Sequence, residues 1–104
     1  MSRGPDAATL LERALLAGAD AAGCAVTLPK WEVQRWASAT FVGAQHALTL
    51  VGTRSPQLDA WLAALPEAEF ALRGHLVADL KVMHVSRDGD TVSASIEILT
   101  VEER

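Results

Sequence analysis

Leu76-Val-Ala-Asp-Leu-Lys-Val-Met-His-Val-Ser-Arg-Asp-Gly-Asp-Thr-Val-Ser-Ala-Ser-Ile-Glu-Ile-Leu-Thr-Val101 decides the fold. Leu76, Ala78, Leu80 and Val82 alternate with Val77, Asp79, Lys81 and Met83. After Arg87-Asp88-Gly89-Asp90, Val92, Ala94, Ile96 and Ile98 alternate with Ser93, Ser95, Glu97 and Leu99. A period of two over this length predicts two half-buried strands joined by a tight turn. Parity then constrains the turn. A two-residue Asp88-Gly89 loop pairs odd with even residues and sets Ile96 against Lys81. A three-residue loop, Arg87 to Gly89, sets Val82 against Ala94, Leu80 against Ile96 and Ala78 against Ile98, which leaves one clean apolar face. A slip of one residue turns every side chain over, so the pattern selects the three-residue loop, with Gly89 at its left-handed position. That register also places Asp79 opposite Glu97 on the other face.

The apolar face needs cover, and two amphipathic helices precede the strands. Over residues 5–23, Ala7, Leu10, Leu11, Ala14, Leu15, Gly18 and Ala22 share one side of a helical wheel, with Pro5-Asp6 as the start signal and Gly23 as the stop. Leu16 stands alone on the polar side. Over 55–66, Leu58, Trp61, Leu62 and Leu65 repeat at helical spacing behind a Ser55-Pro56 start, and Pro66 ends the run. Residues 1–4 read as a loose tail. Between the helices, 31–52 reads as a second hairpin with weaker alternation, turning at Gly43-Ala44 or over Gly43 to His46. Either turn sets Ala37, Ala39 and Phe41 on the face of Leu48 and Leu50. The last hairpin spans about 70–101, with Gly74 as a bulge or bend within its first strand.

The order helix, hairpin, helix, hairpin gives an α+β fold: a four-stranded antiparallel sheet with both helices on one face. A ferredoxin-like βαββαβ chain permuted so that its first strand comes last has this αββαββ order and places the second and fourth strands centrally. A curved sheet in simple 1-2-3-4 order is the alternative.

Length and composition bound the rest. The chain has 104 residues, 50% of them hydrophobic and 21% charged, which suits one globular domain. Asp6, Glu12, Arg13 and Asp20 interrupt the N-terminal apolar stretch, so neither a signal peptide nor a membrane span is expected. A formal net charge of −4 lacks the basic footprint of nucleic-acid binding. The single cysteine, Cys24, forms no internal disulfide and suits the cytoplasm. Alanine richness points to a bacterial source of high GC content.

Chemistry is sparse. His46, His75 and His84 lack metal-ligand spacing, and no phosphate-binding, dinucleotide or hydrolase motif is present, so neither metal nor cofactor is expected. Asp88-Gly89-Asp90 is turn chemistry. Asp79, Lys81 and Glu97 form the one candidate catalytic cluster, because closely spaced carboxylates push one pKa upward and permit acid–base work. The rest of that face is unusually apolar: Trp36, Val42, Val51, Val77, Met83, Val85, Leu99 and Val101 share it with serines and threonines. Such a surface marks a partner or small-ligand site. The reading is a non-enzymatic interaction domain, self-associating as a homodimer through Trp36, Val77, Met83, Val85, Leu99 and Val101. An enzyme with the acidic cluster in a dimer cleft is the alternative.

Overall fold

A computed structural model describes residues 6–103. The expected tail at 1–4 and the Pro5 start signal lie outside the described residues. Helix α1 spans Ala7–Ala21, strand β1 Val26–Ala37, strand β2 Val42–Thr53, helix α2 Pro56–Ala64, strand β3 His75–Asp88 and strand β4 Thr91–Glu102.

Local chemistry sets the helix ends. The Asp6 carboxylate accepts from Thr9 N at 2.9 Å, and Ser55 Oγ accepts from Leu58 N at 3.0 Å. Each satisfies one of the orphan donors at a helix start. Gly23, at φ 88°, ends α1 in a left-handed residue. Its N–H bonds Asp20 O at 3.0 Å and that of Cys24 bonds Ala19 O at 2.9 Å, a Schellman arrangement. Pro66 stops α2, and Leu65–Glu67 continues as a single 3₁₀ turn.

The four strands pair antiparallel in the order β1-β2-β4-β3, so β2 and β4 are central and β1 and β3 are the edges. β2 pairs with β4 and not with β3, which removes the simple 1-2-3-4 order. The apolar faces of both helices, with Leu11, Leu15, Leu58 and Leu62, join Leu48, Leu50, Leu80, Val92, Ala94, Ile96 and Ile98 in one core on one sheet face. Leu16 is 39% exposed, in keeping with its place on the polar side. The helices meet where Trp61 lies over Gly18, whose added Cβ would stand 3.3 Å from the Trp61 Nε1.

Three features of the hairpins correct the sequence expectations. The first hairpin turns earlier, over Ser38 to Phe41, with Ala37 paired to Val42. Ser38 Oγ accepts from Phe41 N at 3.0 Å, and Ser38 N donates to Phe41 O at 2.7 Å. Gly43 and Ala44 are therefore strand residues, and Phe41, 52% exposed, lies in the turn and not in the core. β1 also begins before Trp31, with an extra residue absorbed at Leu28-Pro29, where the register shifts between Thr27 and Lys30.

The second hairpin has a two-residue turn, Gly89-Asp90, between paired Asp88 and Thr91. Gly89 has φ 60°, at the first central position, as a type II′ turn requires. Parity is restored further along the strand. β3 has 14 residues and β4 has 12, and the ladder shifts register between Val82 and His84 and again between Val77 and Asp79. Bulges at Met83 and Ala78 absorb the two extra residues. Leu80 thus faces Ile98 and Val82 faces Ile96. The facing of both residues is as the alternation predicts, but each partner lies two residues further along β4.

Gly74 lies outside β3. It occupies the turn before it, at φ 82°, where His75 N bonds Leu72 O at 3.1 Å.

Candidate functional site

Both helices pack on one face of the sheet, and the face away from them has no covering element among the described residues. Its side chains form rows across all four strands. Trp36, Gly43, Val101 and Leu76 make one row at the end near the β1–β2 turn. Gln34, Gln45, Leu99 and Asp79 follow, then Glu32, Ala47, Glu97 and Lys81, then Lys30, Thr49, Ser95 and His84. The apolar character is thus concentrated at one end. Leu76 and Met83 are each 55% exposed. The Trp36 ring lies flat on Gly43: a Cβ there would stand 2.6 Å from Trp36 Cζ2 and would collide with the Thr100 carbonyl oxygen. Trp36 Nε1 is buried without a hydrogen-bond partner among the described residues, a cost that the apolar contact of the ring must outweigh.

Of the six residues expected to form a partner surface, Trp36, Met83, Leu99 and Val101 lie on this face. Val77 and Val85 do not. The bulges at Ala78 and Met83 turn each of them to the helix side, where Val77 pairs with Thr100, Val85 pairs with Ala94, and both pack against the core. Leu76 takes the place of Val77 on the open face. Val42, which opens β2 opposite Ala37, also leaves the open face.

The candidate catalytic cluster changes in the same way. Asp79 pairs with Leu99, and Lys81 pairs with Glu97, so the two carboxylates are not opposed. Lys81 Nζ stands 3.7 Å from Asp79 Oδ2, with the two side chains 65% and 54% exposed. Asp79 and Lys81 form a solvent-exposed ion pair, with Glu97 across the ladder from Lys81. Two carboxylates forced to share a proton need proximity and burial, and this register supplies neither. A depression of about 220 Å³ beside it is lined by Lys30, Glu32, Thr49, Met83, Ser95 and Glu97.

The helix side holds a polar cluster that the sequence reading missed. His46 lies not in a turn but within β2, fully buried. Trp31 Nε1 donates to His46 Nδ1 at 3.2 Å, and His46 Nε2 lies 3.0 Å from Thr100 Oγ1. Thr100 Oγ1 donates to Ala44 O at 3.3 Å. An indole can only donate, so Nδ1 must be the acceptor. Nε2 then carries the proton and donates to Thr100, whose hydroxyl is already committed to Ala44. Every member is satisfied only with a neutral imidazole. Burial lowers the His46 pKa, and His75 adds to that lowering while Asp6 opposes it. His46 also forms the floor of a cleft of about 330 Å³ at the start of α1, walled by Asp6, Val33, Arg35, His75 and Glu102. The signal for this cluster was its parity, since His46 is in phase with Ala44, Leu48 and Leu50. His75 opens β3, and His84 sits on the open face opposite Ser95. Among the described residues no three His, Cys, Asp or Glu side chains are grouped to hold a metal ion, and no helix is long and apolar enough to cross a membrane.

The sequence matches no protein-family model and no curated protein.

Proposed function

We propose that this protein is a small, non-enzymatic interaction domain of the cytoplasm that self-associates as a homodimer through its open sheet face. The observation that carries this reading is the row of Trp36, Gly43, Val101 and Leu76 spanning all four strands, extended by Leu99 in the next row. Met83, on its bulge beyond Lys81, adds a separate exposed apolar side chain. Area supports it. Four strands of about 12 residues, at ~3.3 Å per residue and ~4.8 Å between strands, present roughly 760 Å². A standard interface takes about 800 Å² from each partner. A single unpaired cysteine supports the location. The strand order, with β2 and β4 central, supports the finer reading of the fold as ferredoxin-like wiring with its first strand moved to the end.

The charges do not oppose association. Lys30, Glu32, Asp79, Lys81 and Glu97 are mixed in sign along the middle rows, and a two-fold axis lets a lysine of one copy meet a carboxylate of the other. The experiment is sedimentation equilibrium of the wild type against Leu76→Glu and Met83→Glu. Both side chains are more than half exposed, so the variants keep the wild-type circular dichroism spectrum while association weakens at least tenfold. Unchanged association in both variants refutes the reading, and a wild type monomeric at high micromolar concentration leaves the face to a small ligand.

A further inference from the structure

The two edges of the sheet are unlike. β3 carries bulges at Ala78 and Met83 that break its outward row of N–H and C=O groups, a common protection against pairing with another chain. β1 has its irregularity at Leu28-Pro29, and beyond it Lys30 to Ala37 pairs one-to-one with Thr49 to Val42 without interruption. Among the described residues, no backbone outside the β1–β2 ladder bonds to Lys30–Ala37. Eight residues of regular edge therefore present alternate unpaired groups outward. Val33, at the middle, is 47% exposed. Among the described residues Arg35 has one loose ion-pair partner, Glu102 at 3.8 Å, and its side chain is 77% exposed.

We propose that Lys30–Ala37 pairs antiparallel with the same segment of a second copy about a two-fold axis at Val33, giving a continuous eight-stranded sheet. An axis normal to the sheet keeps each face on its own side, so directly opposed residues must have like parity and the axis must pass through a residue. With the axis at Val33, that residue meets its own copy, Trp31 meets Arg35, Lys30 meets Trp36, and Glu32 meets Gln34. Both cations of the segment then lie against indoles, which favour them, and no like charges stand directly opposed. Moving the axis to Glu32 sets two carboxylates face to face. Moving it to Gln34 sets Glu32 against Trp36 and leaves Arg35 opposite Val33. Of these three registers only the one at Val33 is self-complementary. This contact is separate from the open face, since Val33 lies at the sheet edge on the helix side.

The test is cysteine cross-linking in a Cys24→Ser background. Directly opposed antiparallel residues have Cα atoms about 4.5–5.5 Å apart, within the roughly 4.4–6.8 Å that a disulfide spans. Under mild oxidation at low micromolar concentration, Val33→Cys forms a covalent dimer at least ten times faster than Glu32→Cys or Gln34→Cys. Adding Arg35→Glu to Val33→Cys slows the cross-link, whereas adding Leu76→Glu leaves it unchanged, so failure of the open-face reading would not be mistaken for failure of this one. Equal rates at positions 32, 33 and 34, or fastest cross-linking at 32 or 34, overturn the proposal.

Discussion

The two hairpins invert what their sequences promise. The second, β3–β4, has the cleaner alternation of apolar and polar residues, yet its ladder shifts register twice. The first, β1–β2, alternates weakly, yet from Lys30 to Ala37 its pairing is unbroken. Alternation reports which face a side chain takes along one strand. Register is a property of two strands, and an extra residue in one of them can be absorbed anywhere along the ladder. In the second hairpin the apolar face demanded an odd residue somewhere. The turn was the nearest place for it, and the strand took it instead, at Met83.

The contrast can be tested by substitution. The largest effect should come from the stripe that both hairpins share. Ile96 is buried and sits between Leu48 and Val82, so Ile96→Ala should cost roughly 2–5 kcal/mol in denaturant unfolding. A loss below about 1 kcal/mol would remove Ile96 from the core and break the common facing of the two hairpins.

The regularity of the first hairpin depends on Gly43. A Cβ at that position would meet the Thr100 carbonyl oxygen and the Trp36 ring, and Gly43→Ala should cost roughly 1–3 kcal/mol through overpacking. A neutral Gly43→Ala would mean that both the Trp36 ring and the β4 backbone at Thr100 give way.

His46, from the first hairpin, should give the fold an acid sensitivity. Its folded pKa is lowered by burial, so below its unfolded value of about 6.5 the unfolded chain binds more protons. Stability is therefore fully present above that value and is lost as pH falls from there through the lowered folded pKa. Unfolding midpoints of wild type and His46→Phe between pH 7 and 5.5 should show a falling trend in the wild type that the variant lacks. Parallel trends would detach His46 from the acid response.

The smallest effect reads the bulge itself. Val85 packs partly against the core while His84 is exposed beside it. Val85→Ala should cost about 1 kcal/mol, as partial burial of a valine implies, and His84→Ala should stay within about 0.5 kcal/mol. The opposite ranking would return the extra residue to the turn and make the second hairpin as regular as the first.

From the sequence by itself came the features that local chemistry dictates: two helices with their caps at Asp6 and Ser55, the left-handed stop at Gly23, the helix-breaking role of Pro66, and the burial of Leu48, Leu50, Leu80, Ile96 and Ile98 on one sheet face. Each follows from a periodicity or a backbone preference within a few residues of chain. The tertiary structure decided where pairs of strands absorb their extra residues. That placement moved Val77 and Val85 to the core, brought Leu76 to the open face and separated Asp79 from Glu97, while the earlier turn at Ser38 to Phe41 put His46 within β2, in a buried chain with Trp31 and Thr100. The physical reason is that alternation sets a side chain's facing only between one bulge and the next. Its neighbour across the ladder depends on turn geometry, bulges and packing summed over two strands, which no single stretch of sequence contains.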